Sequence, residues 1–307
     1  MPCILRGKYG DQIMRIGLVG LGRMGAAMSQ RLRQSGFNVT AWDRRKEANE
    51  AMTKDGLPIG ESPKAIAESA DVVISIITED HGVREIFAGP NGFLAANISG
   101  KLFIEMSTLQ PATAHQLAPL VENKGGRLID SPVLGTIPQV RDGKLFALVG
   151  GRVEDLERAR PVLEKMTRRI DHMGKNGNGY AMKLAVNLGL GAYIQALAES
   201  LALGSAYNLT IDQMLDVLQE APYASNWLRS KLDVLKGGTA ERTLDIQTLR
   251  KDIMSVVATG ALSGVPMPLS AGVLSSLSAA VANGQGAGDL AELPRFHRTA
   301  MLQDFSR

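Results

Sequence analysis

Lys183 and Asn187 stand four residues apart in an otherwise apolar run, Tyr180-Ala-Met-Lys-Leu-Ala-Val-Asn187. Side chains at positions i and i+4 share one helix face, so an ammonium group and a carboxamide would point the same way. A lysine has no packing reason to lie in such a run, whereas an ammonium beside a substrate oxygen can deliver a proton. A second interpretation is open, in which Lys183 extends its charge to solvent and Asn187 caps a local bend. The pair predicts a proton-transfer site if other motifs supply the rest of a reaction.

A glycine-rich turn near the start of the chain is the first such motif. It reads Gly20-Leu21-Gly22-Arg23-Met24-Gly25, directly follows an apolar run, Arg15–Val19, and opens a helical stretch. In this setting the first glycine allows a tight turn, the second lets the backbone approach a pyrophosphate, and the third lets the helix pack on the strand. The N-terminus of the helix then faces the phosphates. We therefore predict that residues 20–25 bind a dinucleotide.

The choice of dinucleotide depends on the residues after the second apolar run. Asp43 ends that run and is followed by Arg44, Arg45 and Lys46. A carboxylate here can accept a hydrogen bond from the ribose 2′-hydroxyl of NAD, whereas arginines can neutralise the 2′-phosphate of NADP. The basic trio also fits the solvated start of a helix. The residues favour NADP slightly and leave NAD, or use of both, open.

Strand-like and helical patterns divide the chain into two regions. From Met14 to about His172, short apolar runs alternate with amphipathic stretches, which predicts an α/β domain with a parallel, doubly wound sheet of the Rossmann type. After Gly179 the strand signal ends, and Tyr180–Asn208 reads as one long helix with further helices behind it. We predict a cofactor-binding domain over 14–176 and an all-α substrate and dimerisation domain over 177–307. Within the latter, 177–208 forms an interdomain helix, and 1–13 is a polar extension.

Composition narrows the class of protein. The 307 residues are 45% hydrophobic and carry 34 basic and 31 acidic side chains, an excess too small to argue for nucleic acid. A single cysteine, Cys3, excludes an internal disulfide framework, and no His/Cys spacing suits a metal, so we expect a metal-free protein of the cytoplasm. Asn187 and Gln195 interrupt the most apolar stretch, Leu184–Leu203, which favours a buried helix over a membrane span.

Further motifs follow in a characteristic order: Gly20-Leu-Gly-Arg-Met-Gly-Ala-Ala-Met28, Glu105-Met-Ser-Thr108 with Pro111, Asp130-Ser-Pro-Val-Leu-Gly-Thr136, the stretch 174–187, Lys251-Asp252, and Gly284-Gln-Gly-Ala-Gly-Asp289. With them the chain resembles the β-hydroxyacid dehydrogenase family, which includes 3-hydroxyisobutyrate dehydrogenases, tartronate semialdehyde reductases and glyoxylate/succinic semialdehyde reductases. The resemblance covers nearly everything from Met14 to about Glu292. It implies an NAD(P)-dependent oxidoreductase that acts on short hydroxyacids or their semialdehydes.

The resemblance also implies roles for individual residues. Lys183 would donate or accept the proton that accompanies hydride transfer, and Asn187 would help to hold the substrate. Thr108 and Lys251 would contact the cofactor, as would the loop at Ile77 and Thr78, which would lie along its nicotinamide half.

The expected substrate loop, Leu134-Gly135-Thr136, departs from the family pattern. Many members carry a serine where this chain has Leu134, and leucine cannot donate a hydrogen bond. The amides of Gly135 and Thr136, and the Thr136 hydroxyl, remain as groups that could bind an anion. We therefore expect a more apolar pocket for a small carboxylate or aldehyde substrate, and leave open that Leu134 only packs inward.

Other functions compete with this interpretation. Imine reductases share the scaffold but typically replace the catalytic lysine, so Lys183 argues against them while Leu134 keeps them open. The 6-phosphogluconate dehydrogenases carry a Lys-x-x-His-Asn-Gly signature that Met182–Asn187 does not match. A non-catalytic cofactor-binding scaffold would not need Lys183 or Asn187. We expect no nucleic-acid or membrane partner, and a homodimer or homotetramer, because the second region has more apolar surface than a small helical domain covers.

Overall fold

The computed structural model describes residues 14–239 and 243–296. The extension predicted over 1–13, including Cys3, lies outside the described residues. The chain divides into two compact units, 1–183 and 184–307, so the division falls inside one long helix. The boundary expected from sequence stood before this helix, at residues 176 and 177. The structure assigns the first turns of the helix to the first unit, because Tyr180 belongs to the core of that unit.

The first unit is built on an eight-stranded sheet. Its strands are β1 Arg15–Val19, β2 Asn38–Trp42, β3 Val72–Ser75, β4 Leu102–Glu105, β5 Arg127–Asp130, β6 Val133–Leu134, β7 Leu145–Gly150 and β8 Thr167–Gly174. Its helices are α1 Arg23–Gln34, α2 Lys46–Lys54, α3 Pro63–Ser69, α4 Asp80–Ala88, α5 Pro111–Glu122, α6 Ile137–Arg141 and α7 Val153–Leu163. The strand order is β2-β1-β3-β4-β5-β7-β6, with β8 paired to β7.

The order of the strands confirms the predicted Rossmann-type sheet. Strands β2, β1, β3, β4 and β5 are parallel, and their side chains alternate between two apolar cores, so that Leu18 packs in one and Val19 in the other. The sheet becomes mixed at its far side, where β7 runs antiparallel to β5 and β6. Neither β6 nor β8 is visible in the sequence pattern, because β6 has only two residues and β8 is mostly polar without an alternating apolar face.

Parallel strands place a whole set of loops at one edge of this sheet. The chain leaves β1 towards β2 on one side and reaches β3 on the other, which makes the gap between β1 and β3 the switch point. Ligands of open α/β sheets bind outside the carboxyl ends of the strands at such a point. The turn after β1 and the loops after β3, β4 and β5 therefore lie where a cofactor site is expected.

Helices make up the second unit. Helix α8, Asn178–Ala206, enters it from the first unit and is followed by α9 Ile211–Leu218, α10 Asn226–Ser230, α11 Leu232–Lys236, α12 Ile246–Ser263 and α13 Pro268–Ala282. By length and composition alone α8 could cross a membrane. Within the protein, however, Leu184, Asn187 and Ile194 of α8 are buried, and Leu184 and Ile194 pack with α12 and α13 in one apolar cluster.

Candidate active site

The glycine turn between β1 and α1 has the geometry of a dinucleotide cradle. Gly20 has a φ of +103°, which favours glycine, and a Cβ on Gly25 would lie 1.8 Å from the carbonyl oxygen of Gly20. In contrast, a Cβ on Gly22 would meet no heavy atom within 4 Å. Open space at the N-terminus of α1 leaves room for a pyrophosphate beside the backbone amides of the first turn, so the turn fits a nicotinamide dinucleotide.

Asp43, directly after β2, anchors this turn. Its carboxylate accepts from the backbone N–H of Leu21 at 2.7 Å and from the backbone N–H of Arg45 at 2.8 Å. The Arg45 guanidinium adds two further hydrogen bonds, of 2.9 and 3.0 Å, one to each carboxylate oxygen. Burial works to raise the pKa of Asp43, but the hydrogen bonds from Arg45 and Leu21 hold it below its ordinary value. The carboxylate therefore stays charged and has four donors.

The loops after β3 and β4 are joined by a hydrogen bond. The backbone N–H of Ile77 donates to the hydroxyl oxygen of Ser107 at 2.7 Å. Ile77 and Thr108 are half-buried, and Thr78 is exposed. The residues that the family resemblance assigned to the nicotinamide half thus lie on two neighbouring loops at the switch-point edge of the sheet.

Two buried carboxyl groups at the ends of β4 and β5 hold the start of α8. Asp130 accepts from the backbone N–H of Gly177 at 2.7 Å and of Tyr180 at 3.2 Å. Glu105 accepts from the hydroxyl groups of Ser107 and Tyr180. Burial raises the pKa of Asp130 and raises that of Glu105 to about 7, against the effect of these hydrogen bonds. Lys183 is half-buried, one turn beyond Tyr180 on α8.

Glu105 and Asp130 belong to the sequence motifs, but those motifs predicted no role for either residue. Each is an acidic residue at the last position of a buried strand. A charged side chain ending an apolar strand at the ligand edge of a parallel sheet is a signal that could have found them. There was no such indication in the sequence for Tyr180, because a tyrosine in an apolar helix is typical of a core residue.

The expected substrate loop is partly engaged in secondary structure. Leu134 is half-buried in β6, opposite Phe146 of β7, and Gly135 is exposed. Thr136 is the N-cap of α6, and its backbone N–H donates to the side-chain oxygen of Gln139 at 2.8 Å. An anion could take the Thr136 amide only in exchange for this capping bond.

Asn187 and Lys251 meet at one carboxylate in the second unit. The amide nitrogen of Asn187 donates to Asp252 at 2.7 Å, and the ammonium of Lys251 lies 2.6 Å from the other oxygen of Asp252. Asn187 and Asp252 are both buried. The motif Lys251-Asp252 predicted no role for Asp252. Within residues 14–239 and 243–296, no group of three acidic, histidine or cysteine residues has the arrangement of a metal site.

Comparison with known proteins covers both units of the chain. Residues 15–174 match the model of the NAD-binding domain of 6-phosphogluconate dehydrogenase, and residues 177–296 match that of the NAD-binding region of NADP-dependent 3-hydroxyisobutyrate dehydrogenase. The 3-hydroxyisobutyrate dehydrogenase of Pseudomonas aeruginosa is 35% identical over 212 residues, which are 69% of this chain and 71% of that one. The chain belongs to the β-hydroxyacid dehydrogenase family.

Other members of the family are similar over nearly the whole chain. Glyoxylate/succinic semialdehyde reductase 1 of Arabidopsis thaliana is 28% identical and covers 90% of this chain and 95% of its own. The structure of 3-hydroxyisobutyrate dehydrogenase from Mycobacterium tuberculosis with L-serine has a TM-score of 0.82 at 26% identity, covering 94% of this chain and all of that one. The chain spans about half the length, 51%, of human nuclear factor N-PAC, which it also matches.

Membership in the β-hydroxyacid dehydrogenase family confirms the class of function predicted from the motifs. The protein is an oxidoreductase that uses a nicotinamide cofactor and acts on short hydroxyacids or their semialdehydes. Among the other enzymes considered, imine reductases also share the fold, at 20% identity or less.

Proposed function

We propose that this β-hydroxyacid dehydrogenase reduces a short semialdehyde or keto acid, and oxidises the corresponding hydroxyacid in reverse, with Lys183 as the proton donor and acceptor. The observation that carries the proposal is the fixed start of α8. Asp130 binds the backbone of its first turn and Glu105 binds Tyr180, so the turn that bears Lys183 is held against the ends of β4 and β5. Those strand ends belong to the edge of the sheet where ligands of open α/β folds bind, which supports a cofactor site there.

Each residue has a limited task in this mechanism. When bound, the nicotinamide supplies or takes the hydride. The first turn of α1 and the turn at Gly22 bind the pyrophosphate, and the loops at Ile77 and Thr108 flank the nicotinamide half. The Nζ atom of Lys183 hydrogen-bonds the substrate oxygen and delivers a proton to it during reduction. One amide hydrogen of Asn187 is donated to Asp252. Asn187 binds the substrate with its second amide hydrogen and its side-chain oxygen.

The substrate we propose is a small carboxylate with an apolar portion beside Leu134. The relatives named above act on glyoxylate, succinic semialdehyde or 3-hydroxyisobutyrate, according to their names. Leu134 offers no donor, and the Thr136 amide is engaged with Gln139. A substrate that places an alkyl group against Leu134 loses less hydration energy than one that places a charged group there. Branched or longer semialdehydes are therefore favoured over glyoxylate.

We further propose a preference for NADP over NAD, supported by the surroundings of Asp43. An ionised carboxylate offers about four acceptor positions, and those of Asp43 accept from the backbone N–H groups of Leu21 and Arg45 and from two N–H groups of the Arg45 guanidinium. The ribose 2′-hydroxyl of NAD would have to displace one of them. Arg44 and Arg45 are both exposed and can approach a 2′-phosphate, for which a planar guanidinium is well suited.

We also propose that the protein forms a homodimer or homotetramer and that it is located in the cytoplasm. Several large apolar side chains of the second unit are exposed, among them Leu203 at 64%, Tyr207 at 77% and Leu262 at 74%. Exposed apolar side chains that adjoin one another mark interaction surfaces, and we infer that a second copy of the chain covers part of this surface. Light scattering after gel filtration measures the subunit number. The cytoplasmic location is proposed from the composition alone.

The experiment that tests the function follows cofactor absorbance in the near ultraviolet. Purified protein is mixed with NADPH or NADH and with succinic semialdehyde, methylmalonate semialdehyde, tartronate semialdehyde or glyoxylate, and a cyclic imine is added as a separate arm. We expect NADPH oxidation with at least one semialdehyde. Turnover with the imine alone would favour an imine reductase. Cofactor binding without turnover in any arm would favour a scaffold protein and contradict the proposal.

A further inference from the structure

We propose that Glu105 is a positioning residue for the reaction, because through Ser107 and Tyr180 it joins the loop after β3 to the turn of α8 that bears Lys183. The inference rests on the function proposed for Lys183. It assigns a task to a buried acidic group that the chemistry itself does not use.

The first half of the connection lies between β3 and β4. Glu105 is the last residue of β4 and is 1% exposed. The Ser107 hydroxyl donates to it, and the Ser107 backbone N–H lies 3.2 Å from each of its carboxylate oxygens. The same hydroxyl oxygen accepts from the backbone N–H of Ile77 at 2.7 Å. Glu105 therefore fixes Ser107 in the orientation in which it holds the loop after β3.

The second half of the connection runs to α8. The Tyr180 hydroxyl donates to Glu105, and Tyr180 is itself 1% exposed. Its backbone N–H is bound by Asp130, so Tyr180 is held at both its main chain and its side chain. Residues three apart are neighbours on a helix surface. Any rotation or sliding of the first turn that breaks the bond to Glu105 would therefore move Lys183 as well.

The energetic cost of Glu105 argues against a role in stability alone. Burial raises its pKa to about 7, which shows that the charged form is disfavoured at this position. Burying a carboxyl group costs free energy unless hydrogen bonds compensate for the lost hydration. A satisfied buried polar network instead restricts the core to one arrangement. Here the network fixes the position of the loop after β3 relative to α8, the helix that carries Lys183.

The test compares Tyr180→Phe, Glu105→Gln and the double variant in the full chain. Tyr180→Phe keeps the buried ring and removes the hydroxyl. We expect kcat to fall about ten- to a hundredfold, because displacements of about 1 Å at a reacting centre cost that much. The dissociation constant of NADPH, measured by nicotinamide fluorescence, should not change in Tyr180→Phe, because this variant keeps the bonds between Glu105, Ser107 and the loop after β3. Because both substitutions break one connection, the double variant should lose no more than the worse single variant.

Tyr193→Phe is the matched control, since Tyr193 lies further along α8 with its ring against Trp227. We expect it to retain the kcat of the unchanged protein. Losses that multiply in the double variant, or an unchanged kcat in both folded single variants, would overturn the positioning role. A melting temperature that falls while kcat per folded molecule is retained would show that Glu105 is structural only. Turnover that survives Lys183→Ala would instead overturn the function proposed for Lys183, and this inference with it.

Discussion

The side-chain amide of Asn187 donates a hydrogen bond to Asp252, with 2.7 Å between nitrogen and oxygen. Lys251 lies against the other oxygen of the same carboxylate. The sequence motifs predicted a substrate contact for Asn187 and a cofactor contact for Lys251 as two separate features. A single buried carboxylate contacts both side chains, so we expect the two predicted contacts to depend on each other.

Replacing Asp252 tests this coupling. Asp252→Ala leaves the buried Asn187 amide without its acceptor, which costs about 1–3 kcal/mol of unfolding free energy. We also expect the KM values for cofactor and substrate to rise together, because both side chains lose their orientation. Steady-state kinetics and urea unfolding measure the two effects. Asp212→Ala, at an exposed position of α9, is the control. A rise in only one of the two KM values would show that Asp252 orients only one of the side chains of Asn187 and Lys251.

Lys183→Ala is predicted to abolish turnover while leaving NADPH affinity nearly intact, because the ammonium transfers a proton and does not bind the dinucleotide. General acid–base catalysis contributes about 10² to 10⁴ in rate, which sets the expected loss of kcat. Stopped-flow turnover and fluorescence titration measure the two quantities. Lys124→Ala removes a charge from an exposed position and should behave like the unchanged protein. Near-normal turnover of Lys183→Ala would contradict the assignment of Lys183 as the proton donor.

Arg44 and Arg45 are predicted to differ in their effect on cofactor choice. Arg44→Ala should lower kcat/KM with NADPH about tenfold or more and change NADH little, because a charge-assisted hydrogen bond to phosphate contributes about 1.5–3 kcal/mol. Arg45→Ala frees acceptor positions on Asp43 and should raise kcat/KM with NADH. The ratio of the two kcat/KM values measures both effects. An unchanged ratio in both variants would show that Arg44 and Arg45 do not determine the choice of cofactor.

Leu134→Ser is predicted to increase the affinity for small carboxylates by about 1 kcal/mol, by adding a hydrogen-bond donor to the loop. Leu134→Ala is its matched control, since it removes the same bulk without adding a donor. The KM for glyoxylate should fall in the serine variant only. An equal change in both variants would show that Leu134 acts through its volume.

Glu105 is predicted to make the stability of the protein depend on pH. Its pKa rises from 4.5 in the unfolded chain to about 7 when folded, so between these values the folded state holds the extra proton. Stability contributed by this proton is present below pH 4.5 and is lost as the pH rises to 7, by about 3 kcal/mol in all. Glu105→Gln removes this dependence. In urea unfolding from pH 5 to 8, the free energy of unfolding of Glu105→Gln relative to that of the unchanged protein should increase with pH. Glu68→Gln, at an exposed site, should show no such increase.

Local patterns were sufficient for the elements that build the cofactor half of the protein. The apolar run at Arg15–Val19 became β1 at the predicted residues, the apolar run before Asp43 became β2, and the turn at Gly20 adopted the predicted strand–turn–helix geometry. These features depend on residues close together in the chain: alternating apolar side chains bury a strand, and glycine is needed where the backbone turns sharply or another chain segment comes near. The family follows from their order along the sequence.

The sequence by itself thus determined the Rossmann-type sheet, the dinucleotide turn and the identity of Lys183 as the candidate proton donor. Only the tertiary structure decided which groups hold these parts in place. Glu105 and Tyr180 are 75 residues apart in the chain, Asn187 and Asp252 are 65 apart, and Asp43 meets Leu21 across 22. Such pairs form because strand order and helix packing bring distant residues together, and buried polar groups must then find partners. No local spacing contains that information.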